Sequence, residues 1–250
     1  MFFRLIILTL SFLPAHFASA QPPITLPDFS ANYSVKLNGI QAGELKRRLI
    51  TDNEGQRIFI SETQAKGVFA FFKPEKITET SKWRLNEQTI QPQHYSYLRR
   101  GGKKDKTVLL DFDWSAQRLH INDKQYPWSL DLAPRTLDKL VYQLALMADL
   151  ARDKHKLSYK IADGGRLKTY NIIQLGQETI TTPLGKITNI KLTRIRVMSN
   201  ELSTFLLCAP ELIYLPVQLE HTEKDGTVFT ATLRRLTGID TKGVFESPPQ

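Results

Sequence analysis

Apolar and polar residues alternate along most of this chain, the period-two signature of strands with one buried face. Phe29–Leu37 alternates, Asn38-Gly39 supplies a two-residue turn, and Ile40–Ile50 returns. Asn-Gly suits a type I′ turn because both central residues need positive φ. Similar strand–turn–strand patterns recur around Asp52–Gly55, Gly101-Gly102, Trp114–Gln117, Asp163–Gly165, Pro183–Gly185 and Lys224–Gly226. Roughly a dozen strands in hairpin sequence predict an antiparallel, meandering sheet.

One stretch breaks this period. In Pro134–Asp153, Leu137, Leu140, Val141, Leu144, Met147, Ala148 and Ala151 recur at helical spacing, and Leu146 and Leu150 widen the apolar face. The pattern predicts a helix over Thr136–Asp153 with Thr136 as N-cap and Asp138 in the first turn. An open, twisted sheet of this size curls, and a curled sheet needs something in its concave face. The predicted fold is mainly β: a single domain with a curled antiparallel sheet, a half-barrel or flattened barrel, packed on one main α-helix. The width of its apolar face fits a plug inside the sheet better than a lid.

Residues 1–20 follow a different logic. Arg4 precedes an apolar run, Leu5–Leu13, that ends before Ala18-Ser19-Ala20. This order matches a cleaved secretory signal, and the run is too short to span a bilayer. The expected divisions are a signal over 1–20, a flexible leader over 21–28, a β-rich domain over 29–237 and a loose tail over 238–250. The only cysteine, Cys208, is far from the cleavage site, so neither a lipid anchor nor an internal disulfide is expected. The expected location is the periplasm, with no transmembrane segment after cleavage. The whole chain carries a net +9, of which the signal removes only Arg4. Interspersed positive charge aids solubility and can favour anionic envelope material. No nucleic-acid recognition motif accompanies it.

Few residue sets suggest chemistry. Val68, Phe69, Phe71 and Phe72 form a compact apolar run ending in Lys73-Pro74. With Leu144 and Met147 of the helix they are candidates to line a ligand cavity, or they are ordinary core. Arg99, Arg100, Lys103, Lys104 and Lys106 could contact an anion, or could keep a hairpin tip from pairing edge to edge. Asp111 and Asp113 share one face of a strand, as an acid–base pair would, although Phe112 and Trp114 on the other face turn them toward solvent. Cys208 with His221 lacks the surroundings of a thiol enzyme, and His94, His120 and His155 lack paired metal-ligand spacing. No cofactor, metal site or catalytic set is expected, and none of the hydrolase, phosphate-loop or dinucleotide motifs occurs.

After the helix come Thr182-Pro183-Leu184-Gly185-Lys186, the run Ser203–Glu211 ending in Ala209-Pro210-Glu211, Leu215–Glu220, and Asp225-Gly226-Thr227. These segments, with the exported N-terminus, resemble an uncharacterised bacterial envelope family, domain of unknown function 3108 (DUF3108). The resemblance covers the mature chain and implies a Gram-negative periplasmic protein. It brings no catalytic residues. It also implies a shape similar to the half-barrel of lipoprotein carriers, which wrap an apolar concavity around a helical lid. Those carriers have more lid helices than the one strong helix here. The leading expectation is therefore non-enzymatic binding or carriage of an apolar or lipid-like envelope component. A structural or protein-interaction module without a small ligand, and a hydrolase acting on envelope material, stand as alternatives.

Overall fold

The computed structural model describes residues 26–247 apart from 73, 87, 103, 124–125, 164, 196–203 and 224. The expected signal and most of the leader lie outside the described residues. Fifteen strands form one sheet. They are β1 (Phe29–Leu37), β2 (Ile40–Thr51), β3 (Arg57–Ala65), β4 (Lys76–Asn86), β5 (Thr89–Arg100), β6 (Lys106–Asp113), β7 (Arg118–Asp123) and β8 (Tyr126–Asp131), then β9 (Thr136–Asp138), β10 (Leu157–Asp163), β11 (Arg166–Thr182), β12 (Gly185–Ile195), β13 (Thr204–Ala209), β14 (Leu215–Thr222) and β15 (Val228–Thr237). Two helices join them, α1 (Val68–Phe72) and α2 (Tyr142–Ala151).

The first and last strands meet in the middle of the sheet, where β1 pairs antiparallel with β15. From there β1 to β8 meander one way and β15 back to β10 the other, each strand antiparallel to its chain neighbour. The first turn is as the sequence predicts: Asn38 and Gly39 both have positive φ and Leu37 faces Ile40. In β1 the inward residues Phe29, Ala31, Tyr33 and Val35 are buried, as alternation requires. β11 is longer than its sequence suggests, because a bulge at Gly176, φ 123°, carries the strand through what reads as a break.

β9 is the exception in direction. It pairs parallel with β10, and α2 is the crossover between them. The sheet then curls until β9 reaches the inner side of β4 and β5. Ser81 Oγ donates to Asp138 Oδ2 at 2.5 Å, and Lys139 Nζ lies 3.1 Å from Glu79 and 4.5 Å from the Tyr97 ring centroid. At the other end, Trp128 of β8 covers Gly165, where an added Cβ would come within 2.4 Å of the indole. Gly165 also has φ +73°, so glycine is required there twice over.

The helix is shorter than its periodicity predicts. Thr136–Asp138 is strand because it completes the sheet edge, and the Thr136 hydroxyl donates to Ala133 O rather than capping a helix. Asp138 performs the turn: its Oδ1 accepts from the Leu140 and Val141 N–H groups at 2.8 Å. The helix ends at Arg152, beyond which Asp153 is left-handed and the Lys154 N–H returns to Asp149 O. Gln143, Leu144, Leu146, Met147, Ala148 and Leu150 are buried. They surround most of the helix axis, so α2 is a plug in the concavity. Arg47 of β2 donates to Gln143 Oε1 at 2.6 Å from within the core, and the buried Tyr33 hydroxyl donates to Pro216 O.

Both chain ends depart from the sequence expectation. Leu26, placed in the flexible leader, is buried in the core, and its carbonyl accepts from Arg57 Nη2 at 2.7 Å. Within the described part of the expected tail, Ile239 is buried, and Lys186 and Glu246 exchange two backbone hydrogen bonds. Among the described residues, no helix is long and apolar enough to cross a membrane.

Candidate ligand-binding seam

Because β9 has only three residues, it pairs with Lys160–Ala162 and leaves Leu157–Tyr159 of β10 without a strand on that side. A seam opens between this edge and the β4–β5 turn. It holds a cavity of about 460 Å³. Ala145 and Ala148 of α2 form its floor, and Ile90, Leu137 and Tyr159 contribute apolar wall. Small residues on this helix face leave the space that a leucine would fill. A second cavity of about 120 Å³ shares Gln88, Ile90, Ala148 and Arg152 with the first and adds Leu26, Arg57, Trp83 and Leu85. A third, of about 200 Å³, continues past Pro134 toward Trp114.

The rim is cationic. Arg135, Arg152, Lys154, Lys156 and Lys160 line the main cavity, with Asp149 as the one carboxylate among the described residues that line it. Asp149 is already engaged by Lys154 Nζ at 2.6 Å, the Tyr159 hydroxyl at 3.1 Å and Arg152 at 4.0 Å. Burial, and then this carboxylate, hold the Tyr159 phenol well above its ordinary range, so it stays a neutral donor. Arg135 sits at the rim with φ 59°, a left-handed backbone that an arginine seldom adopts. Arg152 is largely enclosed, its side chain 13% exposed and its Nε without a hydrogen-bond partner.

The family model described as "Protein of unknown function (DUF3108)" matches residues 32–234. The chain belongs to this family. The matched segment runs from β1 to β15 and so contains the whole seam. No curated protein matches the chain. Among solved structures it is similar to a β-barrel-like protein of a domain of unknown function, DUF1849, from Brucella abortus. That likeness has a TM-score of 0.54 at 9% identity, over 86% of this chain and 98% of the other. It describes the fold alone.

In this DUF3108 chain the sequence-derived site residues do not come together. Leu144 and Met147 are enclosed in the core, at 0% and 2% exposure, and line none of these three cavities. Phe69 and Phe71 lie on α1 beside β2 and β3, and Phe71 is 84% exposed. The run folds as one helical turn in the β3–β4 connection, with Phe69 half-buried and Phe71 exposed. Val68 and Phe72 belong to the same turn, but their side chains lie outside the described residues, as does Lys103.

The basic hairpin is answered locally. Arg99 is 3.6 Å from Glu75 and donates to Lys104 O, while Arg100 is 3.7 Å from Asp105 and donates to Thr107; Lys104 is exposed. Asp111 and Asp113 each have other partners. His94 Nδ1 lies 2.6 Å from Asp111, and Asp113 closes its own turn through Ala116 N–H and Ser115 Oγ, bonds that hold its carboxyl below the usual range. Cys208 is fully buried and its thiol is pushed up to about 12 by burial. It faces Pro216 across the ladder, whereas His221 faces Thr204. No thiol–imidazole pair forms.

The rim residues Arg135, Arg152, Lys154, Lys156 and Lys160 were missed by the sequence reading. A signal existed: Arg152–Lys160 is a basic stretch directly after the helix, with Lys156 exposed just before β10 and Lys160 exposed within it. The parallel β9–β10 pair brings Arg135 beside them, and the curl of the sheet brings Ile90 to the same cavity.

Proposed function

We propose that the chain is a non-enzymatic binding protein of the bacterial envelope that holds or carries an apolar or lipid-like component in the seam beside α2. The observation that carries this reading is the main cavity, whose size lies in the range of small-molecule sites. Its floor and wall are apolar, and its annex reaches Leu26, Trp83 and Leu85 at the edge of the core. The candidate acid pair and thiol pair are each engaged elsewhere, which favours binding over hydrolysis. The export signal read in residues 1–20 supports a periplasmic address.

Native mass spectrometry of the full mature chain, purified without detergent from a periplasmic extract, tests this reading. The expected spectrum contains adducts that organic extraction identifies as lipid-like molecules. Repeated clean spectra of the bare chain would reject carriage and leave the structural alternative. That alternative has its own support in the open edge of β8 and in Ile173, Leu175 and Ile195, which are exposed on β11 and β12.

A further inference from the structure

Resting on that reading, we infer that the seam ligand is an anionic amphiphile. Its oxyanion head, phosphate or carboxylate, is held by the cations of the rim, and its apolar portion runs over Ile90 into the annex. Three observations carry this.

First, among the described residues that line the cavity there are five cations and one carboxylate, and that carboxylate is already occupied. Among the described residues, Arg135, Lys156 and Lys160 have no ion-pair partner, whereas Lys154 and Arg152 share Asp149. Like charges left facing one cavity repel, and an anion placed among them relieves that repulsion.

Second, Arg152 lines both the main cavity and the annex. It is therefore the cation shared by the rim and the annex, whose other cation, Arg57, is already bonded to Leu26 O. Its Nε has no hydrogen-bond partner, and its planar fork suits a carboxylate or phosphate. A buried donor left open costs stability, so a ligand oxygen there gains more than one at a solvated lysine. Third, Arg135 joins the same cavity from the β8–β9 connection on a left-handed backbone, next to Thr136, the ladder partner of Lys160. The β9–β10 pair thus gathers cations from separate parts of the chain at one cavity.

Isothermal titration of the mature chain with three probes below micellar concentration tests the inference. The probes are dodecyl phosphate, dodecyl maltoside and inorganic phosphate. Dodecyl phosphate is expected to bind at least tenfold more tightly than either of the others, with an affinity that falls as salt is raised. The variant Lys156→Gln/Lys160→Gln, altered only at exposed side chains, should lose most of that tenfold preference while keeping its affinity for dodecyl maltoside and its thermal midpoint. Arg152→Gln should weaken dodecyl phosphate further. Equal affinity for the two dodecyl compounds would overturn the anionic head and leave lipid binding intact. Inorganic phosphate binding as tightly as dodecyl phosphate would overturn the amphiphile in favour of a free-anion site. Binding of none of the three would overturn this inference, whereas co-purified lipid would still uphold the binding reading on its own.

Discussion

The chain has two apolar helical segments with opposite fates. α1 reads as almost purely aromatic and apolar, yet Phe71 stands in solvent. α2 is less aromatic, and Leu144 and Leu146 have no exposure at all. The difference comes from connection length. α1 spans the β3–β4 hairpin and has no route into the concavity, whereas α2 joins two parallel strands and must cross a face of the sheet. That face is the concave one, so the helix is enclosed. Apolar content says what burial would gain; topology decides whether burial is available.

The sharpest way to break the comparison is to truncate one side chain from each helix. Leu144→Ala removes a fully buried leucine and should cost roughly 3–5 kcal/mol in urea unfolding. Phe71→Ala should change stability by no more than about 0.5 kcal/mol. Similar costs for the two would mean that α1 is packed as firmly as α2.

Asp138 sharpens the same contrast, because it fixes where α2 begins. Asp138→Ala leaves the Leu140 and Val141 N–H groups and the Ser81 hydroxyl without their acceptor, at a cost of about 3 kcal/mol. Asp138→Asn keeps an acceptor for the turn and gives Ser81 an amide. Burial pushes the Asp138 carboxyl up to about 6, against the lowering by its bonds from Ser81, Val141 and Leu140. The folded state therefore holds this proton more tightly than the unfolded chain. Its contribution to stability is full below about pH 4 and is lost as pH rises through about 6. Relative to the native chain, Asp138→Asn should gain up to roughly 3 kcal/mol between pH 4 and pH 7. A stability difference that does not change with pH would show that the carboxyl ionises as freely in the fold as outside it.

Much of the fold was legible in local pattern. Asn38-Gly39, the alternation of β1 and the glycine turns specify hairpins, and hairpins in series specify a meander. The parallel β9–β10 pair was not legible, since three residues carry no period and Thr136 and Asp138 fit a helix start as well as a strand end. The apolar run Val68–Phe72 misled for the same reason in reverse: its composition is that of core, and only the shortness of its connection keeps it outside. The seam was the least visible feature. Its basic side lies within Arg152–Lys160, but Arg135 joins it only through the parallel β9–β10 pair and Ile90 only when the sheet curls.

The claim on which the seam depends is that α2 is a fixed wall and not a moving lid. Native-state hydrogen exchange of the Leu146–Leu150 amides measures this directly. With α2 as a plug, these amides should exchange only through global unfolding, with an opening free energy equal to that from urea denaturation. Exchange of the whole helix through a local opening several kcal/mol cheaper than global unfolding would contradict it, and would place the ligand beneath α2 instead of beside it.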